Sequence, residues 1–148
     1  MYAKIVVPLD GSSLAEAVLD HVRALAACMG SEIVLLSVLG YPHYDYLITD
    51  PEMAASLRAS LETDACAYLS AVAARLQADG LKVSAEVITV SGPVADAIID
   101  FAKEKHAELI AMSTHGRTGP ARWFLGSVAD RVVRGAGMPV LMVRPVKR

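Results

Sequence analysis

At 148 residues the chain has the length of one domain, enough to bury about two-thirds of the surface that its unfolded form exposes. Hydrophobic residues make up 54% and charged ones 20%, an ordered and core-rich composition, and a formal net charge of -2 argues against nucleic-acid binding by bulk electrostatics. No apolar run reaches the roughly 20 residues that a membrane span needs.

Ala3 to Leu9 (AKIVVPL) is nearly all apolar, as a strand covered on both faces would be. The chain enters this strand without the n- and h-regions of a signal peptide, so a cytoplasmic location is expected. Asp10-Gly11-Ser12-Ser13 breaks the run, and Ser12 or Ser13 can cap the next element. Leu14, Val18, Val22 and Leu25 then recur at helical spacing, with Ala17 and Ala26 on the same side and Gly30 as the stop. Ile33 to Val38 is a second buried strand. A link from Leu39 to Asp50 carries Tyr41, Tyr44 and Tyr46, which read either as a lid or as ordinary packing.

Pro51 suits a first helical position, and Met53, Leu57, Leu61, Tyr68, Leu69, Val72 and Leu76 mark a long amphipathic helix that Gly80 ends. Val83 to Val90 alternates as a strand. Gly92-Pro93 opens a helix with Val94, Ala97, Ile98, Phe101 and Ala102 inward. Leu109 to Met112 is too short an apolar run for a helix and reads as the fourth strand. A last helix starts at Ser127, with Asp130 completing a weak capping box and Val128, Val132 and Val133 inward. Met138 to Val143 is the fifth strand. This alternation predicts an α/β fold, with a doubly wound parallel sheet and helices on both faces.

Cys28 and Cys66 sit in helical patterns without CxxC spacing, so buried reduced thiols are expected rather than a disulfide or metal site. His21, His43, His106 and His115 share no metal-ligand spacing.

The chemistry concentrates between the fourth strand and the last helix. Ser113-Thr114-His115-Gly116 is followed, after a gap of nine residues, by Gly126-Ser127, with Gly119 and Pro120 between. Small residues let the backbone approach a ligand, and a helix N-terminus offers unpaired N–H groups and about half a positive charge to an anion. Arg117, Arg122, Arg131 and Arg134 surround this segment against Asp130 alone, which suits a small polyanion, or else describes a solvated face. In doubly wound sheets the ligand crevice lies beyond the carboxyl ends of the strands, where the winding reverses. Asp10, Val38 and Met112-Ser113 end three of the strands. They share one crevice if the first and fourth strands are neighbours.

Ile5-Val6-Val7-Pro8-Leu9-Asp10-Gly11-Ser12 resembles the opening strand and turn of the universal stress protein family. Met112-Ser113-Thr114-His115-Gly116-Arg117-Thr118-Gly119, then Leu125-Gly126-Ser127-Val128-Ala129, resembles its signature loop, and Met138 to Val143 its last strand. The resemblance spans residues 1–148 and implies one nucleotide-binding domain of strand order 3-2-1-4-5, usually a homodimer paired through the fifth strand. ATP-binding members carry G-x-x-G-x9-G-[ST]. Gly116, Gly126 and Ser127 fit that pattern, and Ser113 stands where the first glycine would.

Carried over, the resemblance implies that Pro8, Leu9 and Asp10 line the adenosine end, with Asp10 near the base or ribose. Val38 would pack on adenine, and Met112 and Ser113 would floor the pocket. Gly116, Arg117, Gly126, Ser127 and Val128 would contact the phosphates through amides and the Ser127 hydroxyl, with His115 in reach. Magnesium or manganese would be bound through those phosphates. Each assignment has a plainer rival: Asp10 as an Asx-turn brace, His115 as a loop brace, Ser127 as an N-cap. Trp123, Phe124 and Leu125 read as loop anchors.

The function expected is an ATP-binding module in stress response or signalling, working through nucleotide-dependent conformation or partner binding. A slow ATP hydrolase and a nucleotide-free dimeric scaffold stay open beside it. Hydrolysis would need a base for water and a metal clamp, and there is no GxxxxGK[ST] loop, no lysine in the glycine segment and no G-x-S-x-G elbow. Pro139 to Val143, apolar on both faces, would be hidden by pairing with a second copy, unless Pro139 and Pro145 already blunt the edge.

Overall fold

The computed structural model describes residues 1–40, 50–115 and 125–145. Strand β1 (Lys4–Pro8) leads through a short 3-10 turn (Ala15–Val18) into helix α1 (Leu19–Met29), then β2 (Glu32–Gly40). Helix α2 (Pro51–Ala78) precedes β3 (Lys82–Val90), and α3 (Val94–Glu104), β4 (Leu109–Ser113), α4 (Ser127–Gly135) and β5 (Val140–Val143) complete the order. The strands form one five-stranded sheet in the order β3-β2-β1-β4-β5, and all four pairings are parallel. The expected α/β architecture and strand order are therefore found. β1 and β4 are neighbours, with Val6 opposite Ile110, so the carboxyl ends of β1 and β4 lie side by side.

The apolar runs build this arrangement by alternation. Ile5, Val7, Ile33, Leu35, Leu109 and Ala111 face one way and pack with Val18, Val22, Leu69, Val72 and Leu76 of the α1–α2 layer. Val6, Val34, Leu36, Ile110 and Met112 face the other and pack with Ile98, Phe101, Ala102, Ala129 and Val132 of the α3–α4 layer. Side chains successive along a strand point to opposite faces, so a strand buried on both must be apolar throughout. Each such side chain contributes about 1.5–3 kcal/mol when fully buried.

Three local expectations are corrected. Both cysteines are free but exposed, because Cys28 and Cys66 fall on the outer faces of α1 and α2. In α4 the buried residues are Ala129 and Val132, whereas Val133 is 45% exposed. Met53 is 61% exposed because α2 outruns the sheet: Glu62 already accepts a hydrogen bond from Thr89, one residue before the end of β3. Among the described residues, no helix is long and apolar enough to cross a membrane.

Candidate functional site

Beyond the carboxyl ends of β1, β2 and β4 lies a cavity of about 280 Å³, just below the roughly 300–1,000 Å³ in which small ligands are usually held. Pro8, Leu9 and Asp10 enter it from β1, Val38 from β2, and Met112, Ser113 and His115 from β4 and the turn after it. Gly126, Ser127 and Val128 close it from the start of α4. Ten of the twelve residues singled out in the sequence thus meet at one place; Gly116 and Arg117 lie outside the described residues. So do Tyr41, Tyr44, Tyr46, Arg122, Trp123 and Phe124. A larger, open recess of about 620 Å³ sits at the amino ends of β2 and β3, away from the strand ends and loops where α/β ligands are held.

Leu36, Val94, Ile98 and Ala15 also line the cavity and were not singled out. Val94 and Ile98 were legible as the inner stripe of α3. That the top of this stripe also forms a pocket wall follows only from how the helix sits on β2.

The turn after β1 is held by its own side chains. Asp10 Oδ1 accepts hydrogen bonds from the Ser12 amide at 2.9 Å and the Ser12 hydroxyl at 2.6 Å. Ser12 Oγ in turn accepts from the Ala15 amide at 3.1 Å, which ties it to the first residue of the 3-10 turn, although the N-cap position itself is Leu14. Asp10 is therefore both a brace and part of the cavity wall.

Across the crevice, the Thr114 amide donates to the Val143 carbonyl at 2.9 Å, tying the end of β4 to β5. Ser113, 5% exposed, accepts from the His115 amide at 3.3 Å. The Thr114 hydroxyl and His115 Nδ1 share a hydrogen bond of 2.8 Å, which braces the imidazole from one side. The tautomer decides which of the two donates.

Helix α4 starts at Ser127 as expected, but its serine does not cap it. Gly126 is the N-cap and Ser127 already the first helical residue, with no side-chain cap bond. The Gly126 amide donates to the Thr114 carbonyl at 2.9 Å, and the Asp130 amide donates to the Gly126 carbonyl at 2.8 Å, which fixes that boundary. The amides of Ser127, Val128 and Ala129 precede the helix's own acceptors and stand at its positive end. Asp130 completes no capping box; it holds Arg134 at 2.9 Å.

Two of the four arginines are thereby committed elsewhere. Arg131 makes a two-pronged pair with Asp96 of α3 at 2.8 Å, and neither Arg131 nor Arg134 lines the cavity. Exposed pairs of this kind are worth about 0–1 kcal/mol. Leu125, read as a loop anchor, is 38% exposed. Among the described residues, no group of three or more His, Cys, Asp or Glu is placed to hold a metal ion.

A family model described as the universal stress protein family matches residues 1–144. The universal stress protein MJ0531 of Methanocaldococcus jannaschii is 33% identical over 150 residues, covering 100% of this chain and 85% of the relative. The solved structure of MJ0577 from the same archaeon is 28% identical, covers 100% of this chain and 99% of its own, and superposes with a TM-score of 0.87. A universal stress protein of Archaeoglobus fulgidus, solved in complex with dAMP, is 25% identical, covers 95% of this chain and 97% of its own, and gives a TM-score of 0.63.

Proposed function

This chain belongs to the universal stress protein family, and from that premise we propose that it is a cytoplasmic ATP-binding module of one domain over residues 1–148. Its nucleotide would bias conformation or partner choice in stress response or signalling. One observation carries the reading: the strand ends and the start of α4 line one cavity that is apolar on one side and bounded on the other by the first residues of a helix. Leu36, Val38, Val94 and Ile98 supply a wall for a base. Asp10 sits where a base or ribose would need an acceptor. Gly126, Ser127 and Val128 stand at the positive end of α4, where phosphates are favoured, with His115 beside them. The A. fulgidus relative in complex with dAMP supports an adenine nucleotide as the ligand. Asp10 is the one carboxylate in the described lining, so magnesium or manganese would be carried on the phosphates rather than by a protein cage.

Calorimetric titration with ATP, ADP, AMP and GTP, with and without magnesium, tests the reading. ATP is expected to bind at least about tenfold more tightly than GTP, the worth of roughly one hydrogen bond to the base. No heat of binding with ATP at millimolar concentration in the presence of magnesium would overturn it.

We also propose a homodimer through Pro139–Val143. β5 lies at one edge of the sheet with Val140, Leu141 and Met142 only half-buried, an edge that a symmetry-related strand would complete. Light scattering at micromolar concentration should return twice the chain mass. A monomer there would contradict the pairing.

A further inference from the structure

The cavity wall formed by Asp10 and Ala15 has a second side, turned toward α2. Between those two residues the backbone is one hydrogen-bonded unit, closed by the Ser12 contacts and by the Glu16 amide donating to the Ser12 carbonyl at 3.3 Å. Glu16 cannot shift without moving Ala15, and through Ser12 it acts on Asp10.

The side chain of Glu16 reaches across to α2. Its Oε1 accepts from the Tyr68 hydroxyl at 3.0 Å, and its Oε2 accepts from Arg75 Nη2 at 2.8 Å. Tyr68 and Arg75 are two helical turns apart on one face of α2, so one carboxylate is gripped at both oxygens by the same helix. Burial, then the bond to Glu16, push the Tyr68 phenol well above its ordinary value, and the Asp10 charge acts in the same direction. Tyr68 is thus a fixed donor within the electrostatic reach of a residue that lines the cavity.

The apolar face of α2 is held differently. Leu69, Val72, Ala73 and Leu76 share one cluster with the strands and with Ala15 and Val18, contacts that carry no charge and set no direction. The carboxylate of Glu16 is therefore a polar tie between this helix and the cavity wall.

Resting on the nucleotide reading above, we propose that Glu16 is a positioning residue: by holding Tyr68 and Arg75, it couples the seating of α2 to occupancy of the cavity. Coupling of this kind is reciprocal, so a nucleotide that settles the Asp10–Ala15 wall must tighten the Glu16 tie to α2, and breaking that tie must weaken the nucleotide by the same factor.

Hydrogen exchange with and without ATP and magnesium tests this on the full chain, comparing wild type with Glu16→Gln and Tyr68→Phe. Glu16→Gln keeps the shape and one acceptor oxygen while losing the charge that holds Arg75. In wild type, ATP should slow exchange over 8–16 and 112–115 and also, by about tenfold, over 65–76. In both variants the first two segments should still be protected, ATP should bind about fivefold to tenfold more weakly, and the protection over 65–76 should vanish. Static destabilisation of either variant cancels in the comparison with and without nucleotide. Protection of the cavity segments in wild type without protection of 65–76, or protection of 65–76 that persists in both variants, overturns the coupling. No protection anywhere in wild type overturns the nucleotide reading itself, and the coupling with it.

Discussion

Gly126→Asp should reduce ATP affinity by more than about a hundredfold while the protein stays folded, since two separate terms, one steric and one electrostatic, act at the same point. A Cβ built on Gly126 meets the Thr114 carbonyl oxygen at 3.0 Å, and that oxygen accepts the Gly126 amide at 2.9 Å, so easing the contact stretches the bond. The backbone of Gly126, with φ -58 and ψ 150, is itself open to any residue. The need for glycine here is one of space.

The added carboxylate would also stand at the start of α4, among the amides proposed to receive phosphate, and repel it. Asp is at the same time a favourable N-cap, better than glycine by roughly a few tenths of a kcal/mol, so the loss of binding should not be a loss of fold. Gly126→Ala isolates the steric term and should weaken ATP by about tenfold, which is 1.4 kcal/mol. Calorimetry with far-UV circular dichroism on the same samples reads both quantities. Wild-type affinity in Gly126→Asp would place the phosphates elsewhere.

The same glycine shows what a sequence can and cannot disclose. The two-part glycine segment, the Asp10 turn and the helix start were visible as small and polar residues interrupting apolar runs. The alternation of strands and helices was visible in the period of those runs. The neighbour relation of β1 and β4 was not in those patterns, because an apolar strand reports burial on both faces and nothing about which strand lies beside it; only the family resemblance implied it. The start of α4 at Ser127 was legible but its cap was not, since Ser127 is the better cap by chemistry. The Gly126–Thr114 bond, between residues twelve apart in sequence, decides it instead.

Long-range polar contacts were equally hidden. Glu16 and Tyr68 are 52 residues apart, and neither belongs to a pattern that would join them. The stripe of α2 was read correctly from Leu69 onward, where the sheet lies beneath it. It was misleading at Met53, where the pattern continues after the sheet has ended.

Leu35→Ala and Leu36→Ala should separate the two faces of the sheet. Both side chains are fully buried at the middle of β2, on opposite faces. Removing three carbons from either should cost about 3 kcal/mol of stability, within the roughly 2–5 kcal/mol found when buried leucines are truncated. Urea titration with matched slopes would register this as a lower midpoint. The loss at Leu36 should fall toward the low end, because its new space opens onto an existing cavity of about 280 Å³ rather than forming an isolated void.

Their effects on nucleotide should diverge. Leu36 lines the cavity beside Val38 and Ile98, so its truncation removes part of the wall proposed for the base and should weaken ATP by about tenfold. Leu35 belongs instead to the α1–α2 cluster with Val72 and Leu76 and does not line the cavity. Its variant, held well below its melting temperature, should bind ATP within about twofold of wild type, as expected for sites that do not share a contact. Equal losses of affinity in the two variants would mean that binding follows global stability, not the shape of this cavity, and the base would then have to be sought on the other side of the sheet.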